Sequence, residues 1–207
     1  MKKKMTKTVK IFLVIAAGLF YSLASANDGF SDAKNKYLQK DYLGAIQEFT
    51  KVINQSSHNY EAYFFRACSN QAMSDHYMAI KDFSVVISHD HSNLDAWHKR
   101  GVSKAELLDY RGAIHDFNHV LRKVSKDSEA LLERAKAQMA LNAYHDSIDD
   151  FTKLIKRGVN EKDSYFLRGI IQIQLGEVEK GCLDLSKAGE LGDEAAYEKI
   201  KELCVPK

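Results

Sequence analysis

The sequence predicts an all-α protein, built as a solenoid of about five helix-turn-helix repeats of 34 residues. A small residue followed four positions later by a large apolar residue recurs with that period. A single proline, Pro206, leaves the chain before it free to form helices. One helical hairpin cannot bury both of its faces, so the repeats are expected to stack. The recurring pairs are Ala45/Phe49, Ala79/Phe83, Ala113/Phe117, Ser147/Phe151 and Gly181/Leu185.

Three further rows share this period and place two helices in each repeat. The apolar positions of the third repeat have helical spacing, interrupted at Asp109 and Tyr110, where a turn is expected. Asn59, Asn93 and Asp127 precede the first helices of their repeats and are predicted N-caps. The rows are Tyr63, Trp97, Leu131 and Tyr165; Arg66, Arg100, Arg134 and Arg168; and Ala33, Ala67, Gly101, Ala135 and Gly169.

The third repeat carries a family resemblance. Its run Trp97–Gly101, its turn Asp109–Tyr110 and its pair Ala113 and Phe117 resemble the tetratricopeptide repeat, a helix-turn-helix of this length. The resemblance implies a right-handed superhelical solenoid, although the proline that often closes each repeat is missing. A last helix is expected to cover the open end of the stack. The predicted repeats are 28–59, 60–93, 94–127, 128–161 and 162–193, followed by a capping helix and tail over 194–207.

The first 26 residues predict a cleavable signal peptide. Five lysines precede an apolar run at 11–20, and the small residues 24–26 suit a signal peptidase. The run is shorter than the ~20 residues of a membrane span, so we expect cleavage after Ala26 and a periplasmic or secreted protein. An uncleaved membrane anchor is the alternative. The whole chain has 30 basic and 28 acidic residues. Without the five lysines of the first 26 residues, 25 basic residues remain against 28 acidic ones. This balance predicts no nucleic-acid partner.

An acidic row shares the period of the arginines and predicts a ladder of structural ion pairs. The pairs can form within a repeat or between neighbouring repeats. Pairing within the first repeat would set Glu48 against Asp32, so pairing between repeats is preferred. The acid–arginine pair recurs four times, whereas catalysis needs one special site, so the row does not indicate an active site. The expected pairs are Glu48–Arg66, Asp82–Arg100, Asp116–Arg134 and Asp150–Arg168, with Asp184 last in the row.

The resemblance also implies a binding surface. In tetratricopeptide arrays the first helix of each hairpin lines a concave surface that holds peptides. Carried over to this chain, it implies an apolar groove for an amphipathic helix or an extended segment of a partner protein. The alternative is that several of these residues pack between adjacent hairpins. The implied rows are Phe30, Phe64, His98, Leu132 and Phe166; Lys34, Cys68, Val102, Lys136 and Ile170; and Tyr37, Gln71, Ala105, Met139 and Ile173.

Two features refine the expected ligand. Phe64, Cys68, His98 and Val102 stand where related co-chaperones hold a C-terminal carboxylate, so the resemblance implies no Hsp70 or Hsp90 tail as partner. An acidic row begins the first helices, either as favourable charges at positive helix ends or as a rim that prefers a basic ligand. It consists of Glu61, Asp95, Glu129 and Asp163.

Three cysteines allow at most one intramolecular disulfide. If the last helix folds back near Asp193, Cys182 and Cys204 lie at similar height on antiparallel helices, close enough to be joined. The alternative is two small buried residues. Cys68 would remain outside this pair.

Signatures of catalysis are missing from the sequence, which has no Gly-x-Ser-x-Gly and no phosphate-binding glycine loop. His115 and His119 are one helical turn apart, but no third ligand follows at a suitable spacing. We therefore expect no enzyme activity, no cofactor and no metal site. An exported enzyme or metal-binding protein that uses Cys68 and His98 is the alternative to the binding scaffold.

Overall fold

The computed structural model describes residues 29–204, and all regular secondary structure in that range is α-helical. The predicted signal peptide, with its cleavage point after Ala26, lies outside the described residues, as do residues 205–207. The predicted all-α class is confirmed. The helices are α1 (29–38), α2 (Tyr42–Gln55), α3 (Tyr60–Ala72), α4 (His76–His89), α5 (Leu94–Glu106), α6 (Tyr110–Lys123), α7 (Ser128–Ala140), α8 (Tyr144–Lys156), α9 (Glu161–Gln174), α10 (Val178–Glu190) and α11 (Glu194–Leu203).

The chain divides into an N-terminal unit that ends at Ala96 and a C-terminal unit that begins at Trp97. In the N-terminal unit α2 packs on α3, and α3 packs on α4. In the C-terminal unit each helix from α6 to α11 packs on the next. Such packing of consecutive helices is what the repeat pattern predicts.

The rows of small and aromatic residues form the core. Phe49, Phe83, Phe117 and Phe151 have no exposed surface. The small residues let the helices approach, because a methyl group added to Gly101 would lie 2.8 Å from Cε1 of Phe117. Tight packing of this kind leaves little room for a change in volume at either row.

Each hairpin turns through one residue with a left-handed backbone, and these residues recur every 34 positions. Glycine adopts this conformation without strain, whereas other residues carry a cost there. The turn residues are Lys40 (φ 62°), Ser74 (φ 62°), Leu108 (φ 63°), Asn142 (φ 57°) and Gly176 (φ 84°).

The three predicted N-caps are confirmed. The side-chain oxygens of Asn59, Asn93 and Asp127 accept hydrogen bonds from the backbone N–H three residues later, at 3.0, 2.9 and 2.9 Å. The predicted turn of the third repeat is also confirmed, and Asp109 caps α6 through the N–H of Gly112. These caps satisfy amide groups that have no partner inside their helix.

The arginine row pairs within repeats, and the predicted pairing between repeats is wrong. Arg66 and Asp82 stand at equal sequence distance from the turn residue Ser74, so the hairpin brings them to the same height. Arg66 donates from Nε to Oδ2 at 2.7 Å and from Nη2 to Oδ1 at 2.9 Å. The equivalent pairs are Arg100–Asp116 at 2.8 Å, Arg134–Asp150 at 2.7 Å and Arg168–Asp184 at 2.7 Å.

The first repeat shows why the prediction failed. Lys36 lies between the two carboxylates and pairs with both. Its Nζ is 3.1 Å from Glu48 and 3.2 Å from Asp32, so the two acids do not repel each other unscreened. Lys51 also binds Glu48, at 2.9 Å. Lys36 lies one turn after Asp32 on α1, outside the arginine row, so the row pattern does not reveal it.

The arginines do reach the preceding repeat, but through neutral acceptors. Nη1 of Arg134 donates to Oδ1 of Asn118 at 2.5 Å. The same bond joins Arg66 to Thr50 at 3.1 Å and Arg168 to Thr152 at 2.8 Å. Each of these guanidinium groups therefore links a carboxylate of its own repeat to the second helix of the repeat before it.

Helix α11 packs on α10 and completes the C-terminal unit. A disulfide joins Cys182 of α10 to Cys204 at the end of α11, with Cα atoms 5.8 Å apart. No helix within residues 29–204 combines the length and apolar character needed to cross a membrane.

Candidate functional site

The N-terminal unit carries an aromatic face, formed by Phe30 and Tyr37 of α1 with Phe64 and Phe65 of α3. Phe65 is its centre, with ring centroids 6.3 Å from Phe30, 5.3 Å from Tyr37 and 5.6 Å from Phe64. All three contacts are edge-to-face, an arrangement that aromatic pairs favour. None of the four side chains is fully buried, so the face is partly open to solvent.

Phe65 was missed by the sequence analysis. Its equivalents in the later repeats are Lys99, Glu133 and Leu167, so the row has no repeated character. A signal exists only at the level of one repeat, where Tyr63, Phe64 and Phe65 are consecutive. A feature that occurs in one repeat only is not part of the pattern that the repeats share, so that pattern does not predict it.

A cation of the chain itself lies on the aromatic face. Nζ of Lys34 is 4.8 Å from the ring centroid of Phe65 and 5.7 Å from that of Phe30. The same ammonium group forms an ion pair with Glu61 at 3.1 Å. The face therefore attracts positive charge through both ring electrons and a carboxylate.

An open pocket of about 360 Å³ lies beside this face, within the N-terminal unit. We call it the acidic pocket. One wall is a stack of Tyr60 on His89, with ring centroids 3.6 Å apart. The lining residues are Tyr60, Glu61, Phe64, Phe65, Val86, His89, Asp90, Asn93 and Asp95.

Three carboxylates give this pocket its charge. Glu61 and Asp95 belong to the predicted acidic row, and both line the pocket. Asp90 accepts hydrogen bonds from the side chain and backbone N–H of Ser92, which hold its pKa below the usual range and keep it ionised. Within residues 29–204 Asp95 has no ion-pair partner. Aromatic walls with such a rim suit a ligand that carries an apolar group and a cation together.

Cys68 and His98 have surroundings that differ from those expected of an exposed reactive pair. Cys68 is buried, with 6% of its surface exposed. Burial, and then the Cys68 thiol, raise the pKa of the neighbouring Tyr37. His98 lies in the C-terminal unit with its ring centroid 5.7 Å from that of Phe117. Its Nε2 is buried and has no hydrogen-bond partner among the described residues.

Apart from the half-buried Gln71 of α3, the other predicted groove residues lie in the C-terminal unit. Lys136 is exposed and pairs with Glu133 at 2.9 Å. Ile173 packs so close to Gly181 that a methyl group there would collide with it, so part of this row packs between helices. The half-buried members are Val102, Ala105, Leu132, Met139, Phe166, Ile170 and Ile173. A groove running along all of these residues stays a prediction.

Metal ligands do not cluster in the described part of the chain. No group of three histidine, cysteine, aspartate or glutamate side chains within residues 29–204 is arranged to hold a metal ion. His119 instead stacks on Trp97 with ring centroids 4.0 Å apart. His115 lies with Nδ1 at 3.2 Å from Oδ1 of Asp116.

The sequence matches no protein-family model and no curated protein. Its fold is similar to that of solved structures. YrrB, a TPR protein with an unusual peptide-binding site, has a TM-score of 0.77 and 15% identity, over 84% of this chain and 91% of that chain. MamA from Desulfovibrio magneticus RS-1 has a TM-score of 0.76 and 13% identity, over 80% and 94%.

A third similar structure is the first TPR of Spaghetti (RPAP3), bound to the HSP90 peptide SRMEEVD. It has a TM-score of 0.54 and 23% identity, over 56% of this chain and 93% of that chain. At these identities the likeness shows the fold alone. Together with the 34-residue rows and the consecutive packing of helices, it shows that this chain has the tetratricopeptide-repeat fold.

Proposed function

We propose that this chain is a non-enzymatic protein-interaction scaffold of the bacterial envelope or the secreted space. It binds a peptide or helix of a partner protein in an apolar groove, and the aromatic face with its acidic pocket is the part of that groove in the N-terminal unit. The observation that carries the proposal is this pairing of aromatic walls with three carboxylates. YrrB and RPAP3, which have a similar fold, are described with peptide sites or peptides.

The chemistry of the site defines the class of ligand. A segment that alternates apolar side chains with lysine or arginine can place the former on Phe64 and Phe65 and the latter near Asp90 and Asp95. The position of Lys34 over Phe65 supports this placement, because a ligand cation can contact an aromatic ring of the face in the same way. Each cation over an aromatic ring contributes ~0.5–2 kcal/mol, depending on how far water is excluded.

An acidic ligand fits this pocket poorly. The peptide SRMEEVD bound to RPAP3 carries three carboxylate side chains. Such a peptide would meet Glu61, Asp90 and Asp95 at the acidic pocket, and like charges in contact are repulsive. This argues against an Hsp70 or Hsp90 tail as the ligand of the acidic pocket.

Selection from a random peptide library on the immobilised full chain tests the proposed ligand class. We expect one class of selected peptides to combine aromatic or aliphatic residues with lysine or arginine. Their affinity should fall at least tenfold with Phe64→Ala and several-fold with Glu61→Gln, measured by fluorescence anisotropy. Glu129→Gln removes the same charge at the same repeat position outside the acidic pocket and should leave the affinity unchanged.

Two results would contradict the proposed site. A selection that yields no peptide combining apolar residues with lysine or arginine would contradict the proposed ligand class. Affinities that resist both Phe64→Ala and Glu61→Gln would place binding elsewhere. Thermal denaturation of each variant separates loss of binding from loss of folding, since Phe64 contacts Phe83 with ring centroids 5.8 Å apart.

Export is part of the proposal. It is supported by the lysines, apolar run and small residues of the first 26 positions. The Cys182–Cys204 disulfide also suits an oxidising compartment. Fractionation of the producing cell, followed by mass spectrometry of the N-terminus, tests it. We expect a chain that begins at Asn27 in the periplasm or medium, and an intact Met1 in the membrane would instead indicate an anchor.

A further inference from the structure

A second open pocket lies in the C-terminal unit, with a volume of about 610 Å³. Its lining comes from α6, α7, α8 and the segments that follow α6 and α8. Among the described residues that line it, five are basic and none is acidic. We call it the basic pocket, and its cations are Arg122, Lys126, Arg134, Lys153 and Arg157.

The basic pocket forms where the repeat departs from its own pattern. In three repeats an aromatic ring lies against the row arginine, at 5.5 Å for Tyr63, 4.7 Å for Trp97 and 5.5 Å for Tyr165. The fourth repeat has Leu131 at this position, beside Arg134, and both residues line the pocket. A leucine side chain is shorter than these rings, so space remains where the other repeats are filled.

The charges of this pocket are only partly neutralised inside the protein. Asp150 accepts from Nε of Arg134 at 2.7 Å and from Nζ of Lys153 at 2.8 Å. Arg122 donates to Nδ1 of His119 at 3.4 Å, which leaves its charge in place. Lys126 and Arg157 have no ion-pair partner within residues 29–204. Asp150 thus pairs with two of the five cations.

Helix ends explain part of this arrangement. Arg122 lies in the last turn of α6, and Lys153 lies in the last turn of α8, where cations interact favourably with the helix dipole. That effect acts on each cation separately and does not require them to line one pocket. It applies also to Arg157, the C-cap residue of α8, but it does not account for Lys126, which lies beyond the end of α6, or for Leu131.

We propose that the basic pocket binds an oxyanion-rich segment of a protein partner, with its oxyanions supplied by carboxylates or by a phosphorylated side chain. The choice of a protein ligand rests on the proposed scaffold function. Guanidinium groups hold either oxyanion through paired hydrogen bonds, which suits Arg122 and Arg157. Leu121 and Leu131 form an apolar floor on which a side chain of the same segment packs.

Fluorescence anisotropy with the full chain tests this site. The probes are a labelled octapeptide rich in glutamate and aspartate with one central leucine, its phosphoserine counterpart, and a matched peptide with glutamine and asparagine. We expect both acidic probes to bind, more weakly as ionic strength rises, and the neutral probe not to bind. The tighter of the two acidic probes identifies the source of the oxyanion.

Two variants remove the site by different routes. Leu131→Tyr restores the residue type of the other repeats and fills the pocket, and should weaken acidic-peptide binding at least tenfold without lowering Tm. Arg122→Gln with Arg157→Gln removes two charges and should weaken it by at least the same factor. Lys123→Gln removes an exposed charge of α6 outside the pocket and should change the affinity by less than twofold.

The proposal is overturned if neither acidic probe binds, or if binding survives both Leu131→Tyr and the arginine double variant. An equal loss with Lys123→Gln would show general attraction to a positive surface. Tighter binding of a single-stranded oligonucleotide than of either peptide would overturn the choice of a protein ligand. Phe64→Ala serves as the cross-check, because it should weaken basic-peptide binding at the acidic pocket at least tenfold and leave acidic-peptide binding intact.

Discussion

In the acidic pocket of the N-terminal unit, Tyr60, Phe64 and Phe65 form aromatic walls and three carboxylates form the rim. In the basic pocket of the C-terminal unit, Leu131 leaves space beside Arg134 and the lining charges are all positive. Each pocket is built from helical hairpins of the same 34-residue type, in different repeats of the chain. They differ at positions that the repeat leaves variable.

The shared positions and the variable positions have different physical tasks. Phe117 and Asp116, members of recurring rows, are buried and join the two helices of a hairpin. Residues such as Asp90 or Arg157 differ from their equivalents in the other repeats and lie at the surface, where a substitution changes little of the packing. The comparison teaches that the buried recurring rows set the fold, whereas the two proposals above assign ligand choice mainly to exposed side chains. Each prediction below tests one side of that division.

Phe117→Ala should have the largest effect, because it removes a ring that has no exposed surface and packs against Gly101. We expect a loss of about 3–5 kcal/mol in the free energy of unfolding, measured by urea denaturation. Arg111→Ala, an exposed change on the same helix, is the matched control and should cost less than about 0.5 kcal/mol. Similar losses for both would mean that the recurring row is not the framework.

Loss of the disulfide should come next. Cys182→Ser with Cys204→Ser opens a cross-link between residues 22 positions apart, which contributes about 3 kcal/mol in the chain-entropy model. Thermal unfolding with and without reductant measures it. Reductant should destabilise the native chain and leave the double variant unchanged. A further loss in the double variant would show that reduction acts elsewhere.

Asp116→Asn tests a framework carboxylate, and its effect should depend on pH. Burial raises the pKa of Asp116, but hydrogen bonds from Arg100 and Lys104 outweigh it and hold the pKa below its ordinary value. The stabilisation is therefore present above the unfolded pKa of about 3.9 and is lost as pH falls through the lower native pKa. We expect Asp116→Asn to lower the free energy of unfolding by about 2 kcal/mol at neutral pH. This difference from the native chain should shrink as the pH falls below the unfolded pKa.

Asp95→Asn is the pocket counterpart of this change. Asp95 is exposed at the start of α5, so its removal should cost less than about 1 kcal/mol at neutral pH. Denaturation curves of both variants from neutral to acid pH give the comparison. An equal cost for the two carboxylates would remove the distinction between framework and pocket.

Leu108→Gly should have the smallest effect and the opposite sign. Leu108 has a left-handed backbone (φ 63°) and is 70% exposed, so glycine relieves strain and loses little burial. We expect a gain of about 0.5–1 kcal/mol. Gly176, the equivalent residue of the fifth repeat, shows that the position accepts glycine. A loss of stability would mean that the leucine side chain contributes more than its exposure indicates.

The fold was predictable because its determinants are repeated. Pairs such as Ala113 and Phe117 give the same signal in every repeat, which a single helix could not supply. The pairing of Arg66 was not predictable from the row pattern, because both candidate acids share the period. The choice depends on the height of each residue about the turn at Ser74, and the sequence argument did not use that turn.

The candidate sites were predictable only in part. Phe64 and the acidic row were identified because they occupy repeated positions. Phe65 was not, because its neighbours in the row are unlike it. Leu131 was placed in its row, but the space it creates beside Arg134 depends on which side chains surround it in three dimensions. A pocket that forms because one residue differs from its equivalents cannot be predicted from the positions that the repeats share.

Site-specific photocrosslinking in the producing cell tests the central claim most directly. Benzoylphenylalanine is placed at Tyr60, which stacks on His89 in the acidic pocket, and at Tyr77, which is 72% exposed in the same unit outside that pocket. We expect a discrete protein adduct from Tyr60 alone, with the crosslink in a segment that carries lysine or arginine beside apolar residues. Adducts of equal yield from both positions, or a crosslinked segment rich in acidic residues, would contradict the account.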